Sequence, residues 1–188
     1  MFSPEKGLGK ILRLNLEGSY QFEIDLWVGE IRHLNESIEK INEEIKKRGG
    51  NLPGHKNLTS IKGISDTGAT IFLDTIGDIH DFKDEKALAS YFGIVPRVYV
   101  SNQTVQHGRI TKVGDQIART ALVQSTLVAI CCSPYLKTFY EKIKTKKGAG
   151  KAIIVTSRKM PGIIYNALKN NWAFEDFTKF KLAPQGAA

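Results

Sequence analysis

The sequence predicts a mainly α-helical protein. An N-terminal coiled-coil-like helix precedes a compact helical domain with a helix-hairpin-helix-like element and a short β-hairpin or loop carrying a serine. Three observations predict it. Apolar residues recur at alternating three- and four-residue spacing from Ile24 to Ile45, which is helical periodicity. A strongly apolar run over 117–132 is ended by Ser133-Pro134, with Pro134 placed to open another helix. Strand-forming residues gather at Val98, Tyr99 and Val100, so the only hairpin expected lies around residues 97–111.

Taken in order, residues 1–19, with several Gly and Lys, are expected as a flexible start. Residues 20–50 form the coiled-coil or oligomerisation helix. Ile24, Ile31, Ile38 and Ile45 lie seven apart, with Trp27, Leu34 and Ile41 between them in an a/d alternation. Such a stripe either packs on its own domain or pairs with another helix. It is narrower than the first arrangement needs, so pairing, as a homo-oligomer through residues 20–47, is expected. Gly49-Gly50 ends the helix.

Residues 51–57 are a linker, and the helical domain is expected over 57–178. Leu58 and Ile61, then Gly63-Ile64-Ser65, then Ala69, Ile71 and Phe72 outline two short helices and a turn. In a helix-hairpin-helix the turn glycines let backbone N–H groups approach a DNA phosphate. Here Ser65 stands where a second glycine is usual, and a purely structural αα-hairpin is the alternative. A helix over 84–92 is capped by Asp84 and stopped by Gly93. The 117–132 run is the expected core helix. The next helix runs from Pro134 to about Ile143, and a last long one over 152–170 has a possible kink at Met160-Pro161. Residues 179–188 are expected as a disordered tail.

Composition narrows the partners. The 188 residues carry a formal charge of +8, which favours an anionic partner. Between residues 137 and 159, Lys137, Lys142, Lys144, Lys146, Lys147, Lys151, Arg158 and Lys159 face only Glu141. That cluster is either a solvated lysine face or a surface for nucleic-acid phosphates, and its grouping around Gly148-Ala149-Gly150 favours the second. Cys131 and Cys132 are adjacent, so they build neither a disulfide framework nor a C-x-x-C metal site. No run reaches the ~20 apolar residues of a membrane span and no signal peptide is visible, so a cytoplasmic protein without a membrane partner is expected. Asp66, Asp74, Asp78, Asp81 and Asp84 are scattered over turns and caps, and no metal or other cofactor is expected on this chain.

The segment 93–114, G-I-V-P-R-V-Y-V-S-N-Q-T-V-Q-H-G-R-I-T-K-V-G, concentrates the chemistry. Ser101 lies in a polar connection, Gly108 frees the backbone before Arg109 and Lys112, and a helix begins near Asp115. A hydroxyl, two cations and a helix N-terminus are equipment for holding and attacking a phosphodiester, although a loop serine also serves simply as a turn former. Arg97 and Arg119 are further candidate cations. Arg119 shares a face with Lys112 if the helix begins early. His107 is a candidate base, or a solvated side chain.

This segment resembles the C-terminal, serine-nucleophile domain of the insertion-sequence 110/116/902 family of transposases. Gly93, Pro96-Arg97, Ser101 and the run Gly108-Arg109-Ile110-Thr111-Lys112-Val113-Gly114 match the family pattern G-L-x-P-R, S-S-G, G-x-I-T-K-x-G. The resemblance extends to L-T-S-I-K-G-I-S at 58–65, I-G-D-I at 76–79, S-P-Y-L-K-T-F-Y-E at 133–141 and A-I-I-V-T-S-R-K-M at 152–160, roughly residues 57–175 in all. Val100 replaces a first serine and Asn102-Gln103 replace glycines, which leaves Ser101 as the candidate nucleophile of the motif.

The resemblance implies DNA transposition or recombination, with Ser101 attacking DNA. It ranks Arg109 and Lys112 first among the DNA-binding residues, ahead of Arg97, Arg119, Lys144, Lys146, Lys147, Lys151, Arg158 and Lys159. It also implies a structured bridge RNA and an RNase-H-like domain whose carboxylates bind a divalent metal (Mg). That domain has no counterpart in these residues, so the chain looks like the C-terminal half of a transposase. A non-catalytic DNA- or RNA-binding and oligomerisation module is the other reading.

Overall fold

The computed structural model describes residues 4–14, 18–101 and 104–175. It divides into two compact units, residues 1–45 and 46–188. Among the described residues the chain is helical apart from one antiparallel hairpin, in line with the mainly α class.

The first unit holds α1 (Pro4–Ile11) and most of α2 (Gly18–Gly49). Helix α1 falls within the stretch 1–19 expected as a flexible start, and its Leu8 is buried. Helix α2 follows the a/d periodicity, and at 1.5 Å per residue it is about 48 Å long. Its stripe is not covered. Trp27, Ile31, Leu34, Ile38 and Ile41 are 41–64% exposed, and only Val28 on this helix is a buried large apolar residue.

The second unit begins with the last turn of α2, where Lys46 pairs with Asp66 at 3.6 Å. Next come α3 (His55–Ser60), α4 (Asp66–Ile76), a single 3-10 turn (Ile79–Asp81) and α5 (Glu85–Tyr91). Ser65, Asp78 and Asp84 each cap the element they precede, accepting from the backbone N–H of Gly68, His80 and Ala87. After the hairpin come α6 (Gln116–Cys132), α7 (Pro134–Lys147), α8 (Ala149–Ser157) and α9 (Met160–Lys169). Asp115 and Ser133 cap α6 and α7 in the same way.

One core joins these helices. Leu58, Phe72, Phe92, Leu122, Leu136 and Ile164 are each sealed from solvent, with α6 contributing through Ala118, Leu122 and Ala129. Two boundaries differ from expectation. Helix α7 runs past Ile143 to Lys147. The expected long helix over 152–170 is two helices, broken at Arg158-Lys159, with buried Pro161 in the first turn of α9. Proline lacks an N–H to donate, so it opens a helix more readily than it bends one. The expected tail over 179–188 lies outside the described residues.

Candidate functional site

The serine motif folds as β1 (Pro96–Ser101) and β2 (Thr104–Ile110). Ser101 pairs with Thr104, Val100 with Val105, Tyr99 with Gln106 and Val98 with His107; residues 102 and 103, between the first pair, lie outside the described residues. Ser101 is exposed and stands at the tip. Val98 and Tyr99 point to opposite faces because strand side chains alternate, yet they are 52% and 58% exposed. Neither face is packed there, so the hairpin projects from the helical body.

The base of the hairpin is tightly knit. The Thr111 N–H donates to the Val95 carbonyl at 2.9 Å, and the Lys112 N–H to that of Gly93 at 3.2 Å. Gly93 (φ 66°) and Gly114 (φ 122°) take backbone conformations closed to most residues, and a Cβ at either would overlap the carbonyl oxygen of Val113 or Tyr91. The two outer glycines of the motif thus fasten both ends of the hairpin to the end of α5. Gly108 has a different role from the one expected. It makes room rather than supplying a special φ, since a Cβ there would lie 3.2 Å from the Tyr99 ring. Gly108 and Arg109 together stand opposite Arg97, a bulge that re-aims the strand.

Four candidate cations gather at this base and not around Ser101. Arg97 reaches toward the Thr111 carbonyl (3.5 Å), and the Arg119 guanidinium donates to the Lys112 carbonyl at 3.2 Å. Lys112 itself sits at φ 55°, outside α6, which begins at Gln116. Arg119 therefore meets Lys112 through its backbone and not along a shared helix face. Arg109 is five positions from the tip residue Thr104 on β2, roughly 17 Å at the rise of a strand. Thr111 Oγ1 is buried and has no hydrogen-bond partner among the described residues, so that hydroxyl is closed to an external phosphodiester. The side chain of His107 lies outside the described residues.

The turn between α3 and α4 has the outline of a hairpin, but its glycine faces inward. A Cβ on Gly63 (φ 97°) would overlap the Ser125 carbonyl and Ala129 on α6. The close approach there is to a neighbouring helix. Among the described residues no three His, Cys, Asp or Glu side chains come together as a metal site. Asp66 pairs with Lys46, and Asp78 and Asp84 serve as caps.

The basic cluster divides between two places. Lys142, Lys144, Lys146 and Lys147 crowd the C-terminal end of α7, where the helix dipole favours cations, and exposed Lys151 begins α8. Lys144 also pairs with Glu141 at 3.3 Å and lies 5.4 Å from the Tyr140 ring centre. Arg158 and Lys159 instead line a groove with α5, α7 and α9. Trp172 also lines that groove and is 60% exposed. Sequence reasoning missed it, because a lone Trp after a helix end carries no periodic signal.

Residues 55–141 match the model of the Transposase IS116/IS110/IS902 family. The chain is 29% identical over 152 residues to a pilin gene-inverting protein of Moraxella bovis, covering 77% of this chain and 47% of that protein. It is 27% identical over 148 residues to the transposase for insertion sequence element IS1111A of Coxiella burnetii, covering 74% and 39%. A probable family 20 transposase of Pseudomonas aeruginosa is 24% identical over 111 residues, covering 55% and 33%. The chain thus spans less than half the length of each of these relatives.

Proposed function

We propose that this chain, whose residues 55–141 match the IS116/IS110/IS902 transposase family, is the serine-bearing, DNA-processing part of a transposase or site-specific DNA recombinase. The observation that carries this reading is the placement of Ser101: the family's motif serine, exposed at the tip of a projecting hairpin whose base is fastened to a packed helical body.

In that role the Ser101 oxygen attacks a backbone phosphorus. A serine–phosphorus ester forms while the bond to one deoxyribose oxygen breaks. The hydroxyl proton passes to a base and the leaving oxygen gains a proton, so the step is a phosphodiester exchange. Arg97, Arg109, Lys112 and Arg119 are too far along the hairpin to hold the phosphate under attack. At ~3.4 Å of rise per nucleotide on one strand, they meet phosphates about five steps away and set the strand's register. The lysines of α7 and α8 offer a second anion-binding surface, for flanking DNA or for a structured guide RNA. Divalent-metal carboxylates belong in this reading to an RNase-H-like domain supplied outside the described residues. The exposed stripe of α2 brings copies of the chain together as a homo-oligomer through residues 20–47. Action on cellular DNA sets the protein in the cytoplasm.

The test separates holding from cutting, in a full-length enzyme supplied with its nucleic acids. Ser101→Ala removes one exposed oxygen, so DNA binding persists while strand cleavage is lost. Arg109→Ala weakens binding and cleavage together, because its charge acts on the ground state as well as the transition state. Cleavage by Ser101→Ala at the normal rate would leave the module reading, in which the chain binds nucleic acid and self-associates without catalysis.

A further inference from the structure

The groove between α5, α7 and α9 has no part in the serine chemistry. It is an open groove of about 740 Å³, within the range of small-ligand sites and enough for a nucleotide. Its cationic wall is preorganised. The Lys159 ammonium donates to the Tyr135 hydroxyl at 2.7 Å and lies 4.4 Å from the centre of the Phe139 ring. It is 5.1 Å from the Tyr135 ring centre, so it sits at the hydroxyl edge of that ring and over the face of Phe139. Arg158, one residue earlier, is exposed, as is Lys86 on α5.

The residues that follow α9 add an aromatic platform on a fixed backbone to the groove lining. The Asn57 amide donates to both the Asn171 side chain and the Trp172 carbonyl at 3.1 Å. The Trp172 N–H donates to the Ala167 carbonyl at 2.9 Å, and the Phe174 N–H to the Ser60 hydroxyl at 2.7 Å. The backbone of Trp172 is thus held on both sides while its indole stays in solvent. Glu85 and Glu175 also line the groove, but Lys86, Arg158 and Lys159 outnumber them, and an exposed indole in the same groove as these cations suits a ligand with one flat aromatic surface and one anionic group.

We propose that this groove takes an unpaired base of single-stranded DNA, stacked on Trp172, with its phosphate on Arg158 and Lys159. The proposal rests on the DNA reading above and adds the strand state. In a duplex both faces of a base are already stacked, so only a strand opened during exchange can offer one.

The test follows the indole directly. The chain has two tryptophans, and Trp27→Phe leaves Trp172 as the only one. Titrating that variant with oligodeoxythymidine, which forms no duplex with itself, is expected to quench the fluorescence saturably. The affinity of a labelled oligonucleotide, followed by anisotropy, should fall at least about fivefold in Trp172→Ala, given what base–aromatic stacking contributes. It should fall in Arg158→Gln as well, with unchanged thermal unfolding in both variants because the two side chains are exposed. Binding without quenching, or undiminished affinity in Trp172→Ala, would overturn the groove assignment and leave the DNA reading standing. Tighter binding and deeper quenching by oligouridine would overturn single-stranded DNA as the occupant. Failure of single-stranded and duplex DNA alike to bind would be a failure of the DNA reading itself.

Discussion

Gly114 shows how a single missing side chain fixes the geometry of the site. Its φ of 122° is strained for any L-residue, and a Cβ would run into the Tyr91 carbonyl at the end of α5. Gly114→Ala must distort the point where the hairpin returns to the helical body. It is expected to lower unfolding stability by roughly 1–3 kcal/mol, read from the urea midpoint. A change within ~0.5 kcal/mol would mean that the hairpin base is not held this way. The need for glycine here follows from a neighbour over twenty residues away in the chain, so the motif identified the residue but not its reason. Gly63 makes the same point: its place in a turn is readable, but its packing on Ser125 and Ala129 depends on where α6 lies. Asp84, Asp115 and Pro134 were legible, because capping and helix opening depend on the immediate neighbours alone.

At the scale of elements, α2 and α7 carry the two most exposed propositions. The a/d stripe of α2 could be read directly because heptad spacing is a local property, and its exposure in the single chain leaves it available to a second copy. Ile31→Asp with Ile38→Asp should convert an oligomer into a monomer in sedimentation. An unchanged mass would show that the stripe does not mediate association. For α7, changing Lys144, Lys146 and Lys147 to Gln should flatten the dependence of log affinity for duplex DNA on log salt, by ~0.9 for each phosphate no longer neutralised. A slope indifferent to the changes would mark these lysines as a solvated face. Less legible was the break between α8 and α9. Met160-Pro161 is compatible with a kinked helix or a new one, and the turn at Arg158-Lys159, with Pro161 in the first turn of α9, decides for the second.

Over the whole molecule, distance along the chain and distance in space part company. Ser101 and Arg109 are eight positions apart, which in a compact loop would place hydroxyl and cation on one phosphate. Extended strands put them instead at opposite ends of the hairpin. The β-branched Thr104, Val105 and Ile110 were the available signal, and the glycine and charges between them obscured it. Ser101 thus stands clear of the body, while the cations and glycines sit where the body anchors the strand.

That arrangement makes Ser101 the decisive residue. The most direct measurement is mass-spectrometric mapping of the covalent protein–DNA adduct trapped during strand cleavage by a full-length enzyme carrying this domain. The expected result is the nucleotide on Ser101, with no adduct from Ser101→Ala although that variant still binds DNA. An adduct that persists in Ser101→Ala, or maps to Thr104, would contradict it.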